Sequence, residues 1–192
     1  MARKSFDANK KIGMDKNYFK GDFTTPESLI IDLLKKVPII EGDLVIDAGS
    51  GERKVWFENI PSTKKIESEL KDGSDFLKFN NQVDWCIGNP PFWEFIPFVF
   101  KASEISRKGF AFLTNHSRLN QITPVRLRKL EEKGFYLSNI TIFAVKKWFG
   151  RYYFLVFSKE KSKDINYLKV NYEEAVSIPP KPKVLGILPN FI

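Results

Sequence analysis

The chain has one cysteine and one histidine in 192 residues. Cys86 alone cannot close an intramolecular disulfide or build a multi-cysteine zinc cluster. His116 alone argues against a histidine-rich metal site and against a Ser-His-Asp plan, so no metal is expected. No apolar run reaches the ~18 residues of a membrane span. The segment MARKSFDANKK lacks the apolar core of a signal peptide. These absences lead to the expectation of a cytoplasmic or nucleoid-associated protein, neither secreted nor in a membrane. What is present forms a core: 43% of residues are hydrophobic and 18 are Phe, which argues against general disorder. The length fits one domain. Lys and Arg total 31 against 23 Asp and Glu, a net charge of +8. That excess favours a polyanionic partner without identifying it.

Residues 1–17 are polar and Lys-rich and read as a mobile arm. Thr24-Thr25-Pro26-Glu27 reads as a helix start, with a Thr cap, Pro at the first helical position and an acid in the first turn. Leu29, Ile30, Leu33, Leu34 and Val37 then recur at helical spacing until Pro38. Strands are expected at 44–46, 64–70, 83–87 and 109–113, with helices near 52–59, 97–107 and 124–133 between and after them. Residues 135–145 and 152–158 are aromatic and β-branched and read as an antiparallel hairpin. Alternating strands and helices imply a parallel sheet with helices on both faces. The segment from Lys161, with its PPKPK run, is expected to lack regular structure.

Two motifs carry the chemistry. Asp47-Ala48-Gly49-Ser50-Gly51 follows a predicted strand. Its glycines let backbone approach a ligand closely at the carboxyl edge of a sheet. By itself this also reads as a tight strand-to-helix turn. Asn89-Pro90-Pro91-Phe92 also follows a strand. Its prolines stiffen the chain and remove two N–H donors, leaving carbonyls and the Asn amide as acceptors beside an aromatic ring. Such a group suits a planar molecule with an exocyclic amine, which donates two hydrogen bonds while its ring stacks on Phe92. A stiff loop with an Asn cap is the plainer reading.

In this order the two motifs resemble those of S-adenosylmethionine-dependent amino-methyltransferases, most closely the adenine-N6 DNA group. The resemblance covers about residues 18–158 and implies one methyltransferase domain over 18–160, with 161–192 as a Pro-rich tail. It implies a Rossmann-like α/β fold: a mostly parallel seven-stranded sheet, its last strand antiparallel. It implies S-adenosylmethionine bound by Phe23, Thr24, Thr25, Pro26, Asp47, Ala48, Gly49, Gly51, Asp75, Phe76 and Asn89. A carboxylate after the second strand should hold the ribose; Glu67 and Glu69 both qualify, and the spacing of Glu69 to Gly73 and Asp75 favours it. Catalysis falls to Asn89, Pro90, Pro91 and Phe92, which would accept the amine hydrogens and stack on a flipped-out adenine.

The resemblance leaves other substrates open: an RNA adenine, a protein glutamine amide, or an inert nucleic-acid-binding module. DNA is the preferred partner, in a restriction–modification setting. Nothing in the sequence resembles a target-recognition domain, so a homodimer or separate partner would supply specificity. Trp93, His116, Arg118, Lys146, Lys147 and Arg151 are candidate nucleic-acid contacts. Trp148, within the same basic turn, could help clamp a phosphate backbone. Cys86, Phe95, Phe98 and Phe100 read as core, and Arg126, Arg128 and Lys129 as a solvated face.

Overall fold

The computed structural model describes residues 25–146, 148 and 150–161, together with the backbone of 164–167. Arm residues 1–17, Phe23, Thr24, Lys147 and nearly all of the tail lie outside the described residues.

The element order is α1 (Glu27–Leu34), β1 (Val45–Ala48), α2 (Val55–Asn59), β2 (Lys65–Ser68), β3 (Val83–Gly88), α3 (Phe95–Ile105), β4 (Ser106–Asn115), α4 (His116–Leu119), α5 (Pro124–Glu132), β5 (Tyr136–Phe143), β6 (Tyr152–Ser158) and β7 (Asp164–Tyr167). The seven strands form one sheet in the order β2-β1-β3-β4-β6-β5-β7. Only β6 runs against the others. The expected α/β sheet is therefore present, with residues 152–158 antiparallel as read from the hairpin.

The seventh strand comes from an unexpected place. Asp164–Tyr167, inside the segment expected to lack regular structure, pairs in parallel with β5, so the last strand of the chain is not the antiparallel one. The prolines that argued against structure begin only at Pro179, downstream of this strand.

The sheet is buried on both faces because its strands alternate between two apolar layers. On β4, Ala111 and Leu113 face the layer containing α1 and α2, with Val45, Trp85, Ile87 and Phe154. Phe110 and Phe112 face the layer built on α3 and α5, with Ile46, Cys86, Leu155 and Phe157. Helix α3 buries Phe95, Phe98, Val99 and Ala102, the i, i+3, i+4, i+7 stripe of an amphipathic helix. Pro97 is tolerated because it lies in the first turn, where its missing N–H has no intrahelical partner. Gly109 makes room for the core: an added Cβ would lie 2.3 Å from the Trp85 ring and 2.4 Å from the Phe157 carbonyl oxygen.

Two local expectations change. Pro26, not a threonine, is the N-cap of α1, and no side chain caps that helix. The Thr25 hydroxyl is instead buried as an acceptor for the Trp56 indole N–H, at 3.2 Å. The polar stretch after β4 contains α4, capped by the Asn115 side chain through the Arg118 N–H.

Candidate active site

The motifs lie along one edge of the sheet. Strand direction places the ends of β2, β1, β3, β4 and β5 there, with the start of β6. In spatial order that edge carries Glu69 after β2, the Asp47–Gly51 turn at β1, and Asn89–Phe92 after β3. His116 follows β4, Arg151 precedes β6, and Lys146 follows β5.

The first turn is held open by backbone conformation. Gly49 and Gly51 have φ of +79° and +67°, a region that side chains disfavour. The Gly49 and Ser50 N–H groups donate to the Ser68 carbonyl at 2.9 and 3.0 Å. Glu69 clamps the other side: its carboxylate accepts from the Gly51 N–H at 2.9 Å and the Lys71 N–H at 3.2 Å.

Within this turn Asp47 is fully buried, and neither carboxylate oxygen has a hydrogen-bond partner among the described residues. Burial pushes its pKa up to about 8. Polarisation by the Phe57 backbone N–H opposes the shift, and repulsion from Glu67 and Glu69 adds to it. Glu67 pairs in register with Asp47 and meets the Lys54 ammonium at 2.7 Å. Its second oxygen is buried without a partner among the described residues. Both candidate acids thus stand at the turn, Glu69 as its clamp and Glu67 as the more open acceptor.

The second motif is pressed against the first. Gly88 has φ +145°, and a Cβ there would lie 2.8 Å from the Ala48 carbonyl oxygen and 3.0 Å from Asp47 Oδ1. Only glycine lets β3 close on β1 at this point. Pro91 and Phe98 lie 3.8 and 3.7 Å from where a Gly49 Cβ would stand. Asn89 Nδ2 reaches the Thr25 hydroxyl at 3.5 Å, while Asn89 Oδ1 is buried with no partner among the described residues. Pro90 and Pro91 have no N–H to offer it. The Thr-Pro element, the glycine turn and the Asn-Pro-Pro-Phe segment therefore meet at one point. Phe92 is half-buried, its ring 6.2 Å from Tyr152.

Asp75 and Phe76 divide their roles. The Asp75 carboxylate accepts from the Leu77 N–H at 3.0 Å and so caps its turn. Phe76 is buried, 4.8 Å from the Phe98 ring that approaches Gly49.

The outer candidates are spread along the rim. Trp93 is 76% exposed, directly after Phe92. His116 is exposed, and a Cβ on Gly150 of the hairpin turn would lie 3.3 Å from its Nδ1. Arg151 is exposed, and Arg118 and Lys146 are half-buried. Trp148 is not displayed: it is buried and packs edge-on to Tyr152, at 4.7 Å. An indole serving the core cannot also clamp a phosphate, so that part of the expected basic clamp is corrected.

Cys86 is core, its thiol pushed up to about 12 by burial. A depression lined by Phe100, Lys129, Glu132 and Lys133 holds none of the motif residues. Among the described residues no group of three His, Cys, Asp or Glu side chains could hold a metal, and no helix is long and apolar enough to cross a membrane.

Gly88 and Lys54 also belong to this edge and were not among the expected site residues. Gly88 was legible, since a glycine directly before Asn-Pro-Pro signals close backbone approach. The Ser50 and Thr114 hydroxyls are buried and unpartnered among the described residues, a property only the fold creates.

The fold that carries this edge is that of the class I methyltransferases. Among solved structures of that fold, a Pyrococcus horikoshii protein provisionally assigned as an RNA methyltransferase is 23% identical, with TM-score 0.54, covering 69% of this chain and 81% of its own. Magnesium protoporphyrin IX methyltransferase from Synechocystis, solved with bound S-adenosylmethionine, is 13% identical with TM-score 0.54, covering 70% of this chain and 78% of that one. TrmN from Thermus thermophilus is 18% identical with TM-score 0.51, covering 74% of this chain and 52% of that one. No protein-family model matches the chain, nor does any curated protein.

Proposed function

We propose that this protein transfers a methyl group from S-adenosylmethionine to the N6 amine of an adenine in DNA. The observation that carries the reading is Asn89 Oδ1: a buried amide oxygen without a partner among the described residues, set between two prolines and the glycine turn. A buried unpaired acceptor costs about 1–3 kcal/mol, so it signals a donor that arrives with the ligand.

The residues present suit S-adenosylmethionine. The buried carboxyl of Asp47, unpartnered among the described residues, offers a polar partner to the ligand, and Glu67 and Glu69 supply acceptors for hydroxyls. Gly49 and Gly51 keep Cβ atoms out of the approach. When bound, this cofactor supplies an electrophilic methyl group carried on a sulfonium. The chain's own part is to present the amine. Asn89 Oδ1 and the Pro90 carbonyl accept its two hydrogens, and those bonds strengthen as the nitrogen gains positive charge. Phe92 stacks on the base and fixes its plane, so the amine is aligned before reaction. The same acceptors suit an adenine of RNA, and the likeness to the Pyrococcus protein makes RNA the second substrate to assay.

The test is incubation with methyl-labelled S-adenosylmethionine and DNA, RNA or protein, followed by nucleoside digestion. Label recovered as N6-methyladenine from DNA is the expected result. Label found only in protein overturns the reading.

A further inference from the structure

Trp93 stands apart from every other tryptophan of the chain. Trp56, Trp85 and Trp148 are 4%, 2% and 8% exposed, whereas Trp93 is 76% exposed. It gives the core almost nothing, yet its position is defined. It sits in a 3-10 turn over Phe92–Glu94 that Pro91 opens and that leads directly into α3. The preceding residue, Phe92, faces Tyr152, and Tyr152 follows the exposed Arg151. Gly150, one residue earlier, abuts His116. An indole, a guanidinium and an imidazole therefore lie on the same sheet edge as Asn89, on a chain of net charge +8.

We infer that Trp93 is a stacking platform for an unpaired base flanking the target adenine, so that the preferred substrate is single-stranded DNA. This rests on the adenine reading of the Asn89 site. A flat indole face binds any base by stacking and reads no sequence. It needs a base whose face is free, which a duplex hides between its neighbours. With Phe92 stacked on the target base and Trp93 on its neighbour, two consecutive bases are gripped by consecutive residues. Arg151, exposed and next in sequence to the Tyr152 that Phe92 faces, would take a phosphate of the same strand. With such a grip the unpaired base is already out of the helix, and the unstacking cost of base flipping disappears.

Fluorescence reads this directly, because acrylamide reaches an exposed indole far more readily than buried ones. In the full-length protein with S-adenosylhomocysteine present, a single-stranded oligonucleotide bearing one adenine in a thymine tract is the probe. It should cut acrylamide quenching several-fold, and its pre-annealed duplex should do so much less. Trp93→Ala should weaken binding of the single strand about tenfold, and Trp93→Phe should restore most of it. Thermal stabilisation by S-adenosylhomocysteine should be equal in all three proteins, which separates lost stacking from misfolding. Unchanged quenching on binding, equal protection by duplex and single strand, or undiminished affinity in Trp93→Ala overturns the proposal. Methyl transfer to duplex DNA with Trp93 unprotected overturns the stacking and spares the catalytic reading. Protection of Trp93 without any methyl transfer does the reverse.

Discussion

Asn89 and Asp47 are separable by experiment, although their strands touch. Asn89→Ala removes the acceptor for the amine and leaves the glycine turn in place. Turnover should fall about a thousandfold, while cofactor affinity by calorimetry stays within about threefold. A near-normal rate would remove Asn89 from the chemistry. Asp47 makes its prediction through pH. Its folded pKa of about 8 lies above the ordinary carboxylate value of 3.8, so folding favours the protonated form. The stability this group contributes is complete below pH ~3.8 and is lost as pH rises through about 8. Asp47→Asn cannot lose it. Melting temperatures without cofactor should therefore diverge across that window, the variant gaining on the wild type by a few kcal/mol near pH 9. A constant gap between pH 4 and 9 would contradict the assigned burial. At this scale much was legible beforehand. Asn89 and the glycines stood out by residue type and by following apolar runs. That Asn89 Oδ1 and both Asp47 carboxylate oxygens lack a partner among the described residues was not legible, because it depends on what β1 and β3 exclude together.

At the scale of elements, the meeting of β1 and β3 is the constraint that builds the site. Gly88→Ala forces a Cβ against the Ala48 backbone and strains φ +145°. It should cost about 1–3 kcal/mol in urea unfolding and should weaken cofactor binding as well, because Asp47 must move. Loss of stability with unaltered cofactor affinity would mean the turn does not depend on this contact. The far edge makes a second case. β7 covers β5, and without it the β5 backbone groups become an open edge. Ending the chain after Lys161 should speed hydrogen exchange at Asn139–Ile142 and raise light scattering on storage. Hydrophobic period and turn residues had revealed β1, β3, β4 and the β5–β6 hairpin. They could not reveal β7, since DINY is polar and becomes a strand only because β5 offers it an edge. The Thr cap failed for a related reason: Trp56, distant in sequence, takes the Thr25 hydroxyl.

Across the whole molecule the charge is unevenly placed along the site edge. The carboxylates of Glu67 and Glu69 lie at the β1–β2 end, Glu67 paired with Lys54, and Arg151 and Lys146 lie at the β5–β6 end, with Asn89 between them. Nucleic-acid affinity should fall steeply with salt. For single strands the slope of log affinity against log salt is about −0.7 per phosphate neutralised, so three to five contacts predict a slope of roughly −2 to −3.5. A flat salt profile would deny the basic end a role. Composition alone had supplied the +8 but no address for it, because charge placement follows strand order and not residue count. On the proposed nucleic-acid reading, the hairpin turn with Arg151 and Lys146 is where the phosphates of a strand would be held, which leaves the β1–β2 side of the same edge to the cofactor.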